Sequence, residues 1–360
     1  MMLIIKERGG APMRTVEHTR QGDATQVLTL TEKPRPPAPG AAEVLVRMLV
    51  RPVHPGDLIG VEGMPGQPEQ RPDARSQART PGVEGMGVVE SVGADVHALH
   101  PGQRVAVFPA PGTWSDFVVV AADLTVPVPD EVSDETAALM LVNPLTLRML
   151  YRAVEDALGR QPGLVLQTAA GSSIGRLISA EAARRGLQLI NLVRSTSGAE
   201  KLRAQNPSQP VIATSDDDWR EQVRRYAGER GGVQVVLDSV GGAMTQGLAA
   251  LLDAGGTLIS YGHLGDGTAS LEALPLIARA LTLRGETILR WMRRTPEERA
   301  QDVAFAQDLA RSAPDLLDVA ARYDLADFKA AIEHVRRPGR TGTVLLTSPR
   351  PVDSAQGAAR

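Results

Sequence analysis

The chain has 360 residues, 42% hydrophobic content, a formal net charge of −3 and no cysteine. That length suits two domains rather than one, and the mild negative charge argues against a general binder of nucleic acid or membrane surfaces. Without cysteine there is no disulfide, no thiol nucleophile and no zinc site built on thiolate.

The opening MMLIIKERGG holds too short an apolar run for a signal peptide, and no stretch reaches the length of a membrane span, so a cytoplasmic protein is expected. Met13 is a candidate start, with residues 1–12 a loose extension and 349–360 a frayed tail. From 14 to about 130, short runs such as EVLVRMLV, GMGVVESVG, RVAVF and DFVVVAA are punctuated by Pro and Gly, which predicts a compact β domain. The grain changes near 134. A helix is predicted over DETAALMLVNPLTLRMLYRAV, followed by strand candidates separated by helical stretches, the alternation of a parallel sheet with helices on both faces.

Within that half, Leu164–Leu166 and Leu189–Val193 are apolar runs suited to strands buried on both faces. The helix between them begins near Ser173, carries Leu177, Ile178, Ala182 and Ala183 at helical spacing, and ends at Arg184, Arg185 and a capping Gly186. Its free N–H groups would favour a phosphate. A strict G-x-G-x-x-G needs glycine at 170, 172 and 175, whereas the chain has Ala170, Ser172 and Gly175, so the turn by itself fits a dinucleotide site or an ordinary buried strand-helix-strand unit. At the end of the second strand, where an NAD site would carry Asp or Glu, stand Arg194, Ser195 and Thr196. A cation with two hydroxyls suits a 2′-phosphate and hence NADPH; the plain alternative is a solvated surface arginine. Later elements are strands at PVIAT, VQVVLDSV, GTLISYG and LTLRGETI, a helix TPEERAQDVAFAQDLARS opening on a Thr cap, a helix DLADFKAAIEHVRR and a last strand GTVLLT.

Eight segments agree in order with one family. PGVEGMGVVESVG, PGQRVAVF, GTWSDFVVV, VNPLTLRML, AAGSSIG, LDSVGG, GGTLISYG and LRGETILRW together resemble the medium-chain dehydrogenase/reductase superfamily, above all its zinc-free quinone oxidoreductase and 2-enoyl-thioester reductase branches. The resemblance implies an α/β fold: a GroES-like β domain, 13–135 and 289–348, with a Rossmann NADPH-binding domain, 136–288, inserted between its parts. It also implies a homodimer. Carried across residue by residue, it places the nicotinamide near Asn143 and Thr146 and the phosphates on Gly171, Ser172, Ser173 and Ile174. The 2′-phosphate falls on Arg194, Ser195 and Thr196, and Tyr261, Gly262, His263, Leu264, Thr287, Ile288 and Leu289 line the cofactor. Asn143 read alone is equally a helix cap, and Tyr261 a core aromatic.

Zinc-dependent relatives would need ligands that the matching positions lack. Here these read His54, Val83 in Gly82-Val83-Glu84, and no later cysteine, and one histidine cannot hold a catalytic zinc. Substrates must then be polarised already: enones, 2-enoyl thioesters or quinones. The tyrosine that donates a proton in the thioester branch has no counterpart in GVEGMPG, where Pro65 stands near its place. His54, in the HPGD loop, is the remaining candidate donor or else a loop-stabilising hydrogen bonder. Arg71, Arg75 and Arg79 either recognise an anionic substrate or are solvated. The expected function is NADPH-dependent, zinc-independent reduction of an activated C=C bond or quinone. The alternatives are a cofactor-binding protein with weak catalysis and an alcohol dehydrogenase.

Overall fold

Short runs of Val, Leu and Ile between Pro and Gly fold into strands, as β-branched and aliphatic residues do on pleated, half-buried surfaces. The computed structural model describes residues 12–63, 77–159, 161–265 and 267–350. The chain divides into two units, Met1–Leu141 with Val319–Arg360, and Val142–Asp318. The later junction thus lies at Asp318 and Val319 rather than at 288 and 289. Ion pairing is the reason: wholly buried Asp302 accepts from Arg148 Nε at 3.1 Å and Arg152 Nη1 at 2.9 Å, fastening the helix Pro296–Ser312 to the helix Val142–Leu158.

In the first unit β1 (Met13–Glu17) pairs antiparallel with β2 (Thr29–Lys33). β3 (Glu43–Pro52) pairs antiparallel with β4 (Gly85–Val92), which continues through β5 (Arg104–Val107). β3 also pairs with β6 (Phe117–Ala121), and β5 with β7 (Thr125–Pro127). Val44, Val46 and Met48 of β3 meet Val89, Val105, Val107, Val118 and Val120 in one dry cluster.

The single helix expected over 134–154 is in fact two, Asp134–Ala138 and Val142–Leu158. Leu141 N–H binds Glu84 Oε1 at 2.9 Å rather than a helical carbonyl, and Pro144 sits in the first turn of the second helix, where no ladder N–H is needed.

The second unit is a six-stranded parallel sheet: β8 (Leu164–Gln167), β9 (Gln188–Val193), β10 (Val211–Ala213), β11 (Val233–Asp238), β12 (Leu252–Ser260) and β13 (Thr282–Gly285). Their order is β10-β9-β8-β11-β12-β13. The order reverses between β8 and β11, so the carboxyl ends of these two strands border the crevice where such sheets take their ligands. All four residues of β8 are buried, which is why the run LVL shows no alternation. Gln167 is the polar exception. Its Nε2 donates to Gly175 O at 3.0 Å and to Asn191 Oδ1 at 2.6 Å on β9, so a buried amide ties two strands to the helix above them.

The strand expected over LTLRGETI stops at Gly285, and Thr287 caps a 3₁₀ turn, Ile288–Arg293. The chain then returns to the first unit as β14 (Val319–Asp324) and β15 (Thr343–Thr347), the latter antiparallel to β3. β14 was not legible in AARYD, whose alanines suit helix better than strand. The helix expected from Asp324 starts only at Phe328, after a 3₁₀ turn that Asp324 Oδ1 caps by accepting Ala326 N–H at 2.8 Å. Among the described residues no helix is long and apolar enough to cross a membrane.

Candidate cofactor site

The turn after β8 is narrow because the side chains are small. Ala169 adopts φ +49°, a left-handed conformation costly for any residue but glycine, and Ala170 N–H reaches across to Leu192 O at 2.9 Å. The helix Ser173–Arg185 starts there. Ser172 Oγ caps it by accepting Gly175 N–H at 3.1 Å, and Gly186 closes it at φ +67°, the latter as the sequence predicts. A Cβ on Gly175 would lie 2.6 Å from Ala169 O, so only glycine lets helix and turn approach this closely. Gly171, by contrast, faces open space apart from Val193 Cγ1 at 4.0 Å. Gly171, Ser172, Ser173 and Ile174 are all half-buried, at the positive end of the helix dipole.

Across the crevice, the carboxylate of Asp238 at the end of β11 is wholly buried. Its Oδ1 accepts from Thr168 Oγ1 at 3.1 Å, Val240 N at 2.9 Å and Gly241 N at 3.1 Å, and its Oδ2 accepts from Thr245 Oγ1 at 3.1 Å. The loop after β12 is laced onto this one: Tyr261 N–H binds Asp238 O at 2.9 Å, Leu264 N–H binds Ser239 O at 3.1 Å, and Gly265 N–H binds Val240 O at 2.8 Å. A Cβ at Gly262 would come within 2.8 Å of Ser239 O, again leaving room for glycine alone. Tyr261, Gly262, His263 and Leu264 therefore converge with Thr168 and Ser239. Those two, with Asp238, were not among the expected site residues, although an aspartate closing the apolar strand VQVVLD was a usable signal.

Two neighbouring hydroxyls here, Ser239 Oγ and Tyr261 Oη, are buried with no well-aligned hydrogen-bond partner in the protein. Burial first, then the charge of Asp238, pushes the Tyr261 phenol up to about 12 against the opposing effect of its loose hydrogen bond with the Ser239 hydroxyl, so it stays protonated near neutral pH. Two buried hydroxyls paired loosely with each other alone, glycines that a Cβ would crowd and a helix start form a cradle that fits a dinucleotide. Asn143 and Thr146 are half-buried, three residues apart in the first turns of the helix Val142–Leu158, and so lie on one face of it. Thr287 and Leu289 are exposed and Ile288 half-buried, in the 3₁₀ turn rather than on a strand.

Arg194 is exposed at the carboxyl end of β9 and pairs with no carboxylate among the described residues. Ser195 Oγ caps the helix Thr196–Gln205 by accepting Gly198 N–H at 3.2 Å, and Thr196 Oγ1 lies 3.5 Å from Asp216 Oδ1. Both hydroxyls thus stand at a second helix start beside the arginine.

His54 belongs to the first unit. Its Nε2 lies 2.7 Å from Oε2 of buried Glu84, whose other oxygen holds Leu141 N–H. Its backbone N–H donates to Asp57 Oδ2 at 2.9 Å. Burial alone would lower the imidazole pKa, but the hydrogen bond and charge of Glu84 overcome it and hold it above the ordinary value. Desolvation raises buried Asp57 to about 6. Arg79 is exposed, its backbone bridged to His18, while Pro65, Arg71 and Arg75 lie outside the described residues. Among the described residues no group of three His, Asp or Glu side chains is arranged to hold a metal ion.

Residues 40–130 match the alcohol dehydrogenase GroES-like domain, and residues 209–346 the zinc-binding dehydrogenase family. The chain is 28% identical over 342 residues to human mitochondrial enoyl-[acyl-carrier-protein] reductase, covering 94% of this chain and 89% of that one. Among solved structures, a Bacillus thuringiensis protein assigned as an NADPH:quinone reductase superposes with a TM-score of 0.82 at 30% identity, over 94% of this chain and 100% of the other. A mycobacterial protein in complex with NADPH superposes with 0.79 at 28% identity, over 93% and 100%.

The Glu84 pairing has a measurable sign. Because the folded His54 pKa is raised, its contribution to stability is complete below the unfolded value of about 6.5 and is lost as pH rises through the folded one. In Glu84→Gln the opposing effect of burial is left, so the His54 titration midpoint followed by NMR is expected to fall, and the loss of stability with pH to flatten. An unmoved midpoint would show that Glu84 does not hold the proton.

Proposed function

Because the chain belongs to the medium-chain dehydrogenase/reductase superfamily, in its zinc-free quinone oxidoreductase and 2-enoyl-thioester reductase branch, we propose that it binds NADPH and reduces a polarised C=C bond or a quinone. The observation that carries this reading is the cradle at the strand reversal: buried Ser239 and Tyr261 hydroxyls that meet only each other, the Gly175 turn, and Arg194 at the end of the neighbouring strand. Bound NADPH supplies a hydride to the electron-poor carbon of the substrate.

The chain's own residues do the rest. The helix start at Gly171–Ile174 holds the pyrophosphate with backbone N–H groups and the dipole. Arg194 selects the phosphorylated ribose with charge-assisted hydrogen bonds, aided by Ser195 and Thr196. Asn143, Thr146, Tyr261 to Leu264 and Thr287 to Leu289 orient the nicotinamide. The oxygen conjugated with the reduced bond gains negative charge and needs a proton or a positive group. We assign that role to His54, whose imidazole pKa the hydrogen bond and charge of Glu84 hold above the ordinary value. Relatives bear on the substrate class: the human protein's name specifies enoyl-[acyl-carrier-protein] reduction, and the Bacillus thuringiensis protein's specifies quinone reduction.

A homodimer is the assembly that the edge of the parallel sheet supports. β13 ends the sheet, paired only with β12 among the described residues, and Leu283 on it is 48% exposed. The helix Ala273–Ala278 beside it buries no residue and leaves Leu274 and Ile277 at 75% and 73% exposure. An apolar strand edge of this kind is covered by a second copy or aggregates.

Incubation with NADPH and a panel of enones, quinones and crotonyl thioesters should consume NADPH; no turnover with any class would refute the reductase reading in favour of a cofactor-binding protein. Arg194→Ala should weaken NADPH by about 1.5 to 3 kcal/mol and leave NADH nearly untouched, and equal loss for both would remove the arginine from coenzyme choice. His54→Gln should lower kcat on the order of 100-fold and abolish the decline of kcat as pH rises through the histidine pKa; an unchanged profile would leave His54 a loop-pinning residue only. Light scattering should report a dimer that Leu283→Lys with Ile277→Lys converts to monomer, whereas a monomeric parent protein would dismiss this surface as an interface.

A further inference from the structure

The exit of β10 carries three acids in a row, Asp216, Asp217 and Asp218, directly beside the segment assigned to the 2′-phosphate. The two segments are tied backbone to backbone: Thr214 N–H binds Val193 O at 2.8 Å, and Ser215 N–H binds Arg194 O at 3.1 Å. Asp216 follows at once. It is half-buried, and its Oδ1 lies 3.5 Å from Thr196 Oγ1, the hydroxyl expected to serve the phosphate. Asp218 is occupied elsewhere, accepting Gln222 Nε2 at 2.7 Å, while Asp216 has no cationic partner among the described residues. A negative charge is thus built against the place where a dianion is to bind.

We propose that Asp216 is a specificity-determining residue that limits how tightly the phosphorylated coenzyme is held; this rests on the assignment of Arg194 to Thr196 as the 2′-phosphate site. It acts in two ways. The carboxylate repels the phosphate across a partly solvated gap, and it holds the Thr196 hydroxyl as a hydrogen-bond donor that the phosphate would otherwise receive. Neither effect reaches a coenzyme with a plain 2′-hydroxyl. The phosphate is common to the reduced and oxidised coenzyme, so Asp216 loosens both and speeds release of the oxidised form after turnover. Arg194 supplies selection, and Asp216 sets its strength.

The test is Asp216→Asn, which keeps an acceptor oxygen for Thr196 and removes only the charge. Fluorescence titration with NADPH and NADH should show NADPH tightened about three- to tenfold and NADH unchanged, the gain shrinking as salt is raised. Thr196→Val should weaken NADPH alone, and by less in the parent protein than in Asp216→Asn, where the hydroxyl is no longer drawn to a full charge. Parallel shifts for both coenzymes, or no shift, would overturn the proposal while leaving the NADPH reading intact. Weaker NADH binding in Asp216→Asn would identify the carboxylate as a ribose ligand instead. If the parent protein prefers NADH and Arg194→Ala leaves NADPH unaffected, the phosphate site itself falls, and this inference with it.

Discussion

A carboxylate removed from water must find donors or lose its charge, and Asp238 finds four of them at the point where the strand order reverses. Two come from the backbone of its own loop, one from Thr168 at the end of β8 and one from Thr245 in the following helix. The ends of two neighbouring strands are thereby locked into one rigid corner. The loop after β12 then builds on that corner through three backbone hydrogen bonds, which is what brings Tyr261 beside Ser239. Losing any donor would leave a desolvated charge short of a partner, so the corner is held as a unit rather than by additive contacts.

The same logic recurs one layer below. Gln167, Ser179 and Asn191 are wholly buried polar residues in an otherwise aliphatic sheet, and they hydrogen-bond one another between β8, β9 and the helix that starts at Ser173, with Gln167 Oε1 alone left without a partner among them. An apolar trio would pack as densely but would not fix the angle at which that helix meets the strands. On the proposed reading that helix start faces the phosphates, so its aim matters more than its stability. Gly175 completes the arrangement by allowing the helix to approach Ala169 and Ala170 closely.

Much of this was legible in advance. The alternation of apolar strands with helical stretches implied the parallel sheet, the helical spacing from Ser173 and the Gly186 cap marked a helix that the structure reproduces, and Arg194 stood out because the position normally carries the opposite charge. Three of the departures share one origin, in that each was decided by residues distant in sequence. The helix over 134–154 breaks because Leu141 N–H is claimed by Glu84, far earlier in the chain. The helix Pro296–Ser312 joins the second unit because its Asp302 lies against Arg148 and Arg152. β14 is a strand because β15 offers it a ladder, against the preference of its alanines.

Periodicity, caps and turn chemistry are local properties of the polypeptide, and they determined by themselves that the chain holds a strand-rich region and a parallel α/β region. Pairings between residues 20 to 71 positions apart are not written in any local pattern. Only the tertiary structure could decide that His54 is tied to Glu84, that Thr168 and Ser239 join the expected site residues, and that Asp216 stands against Thr196. The physical reason is desolvation: a buried polar group takes whichever partner the fold brings within reach, and that partner is fixed by the packing of whole strands and helices rather than by neighbours in sequence.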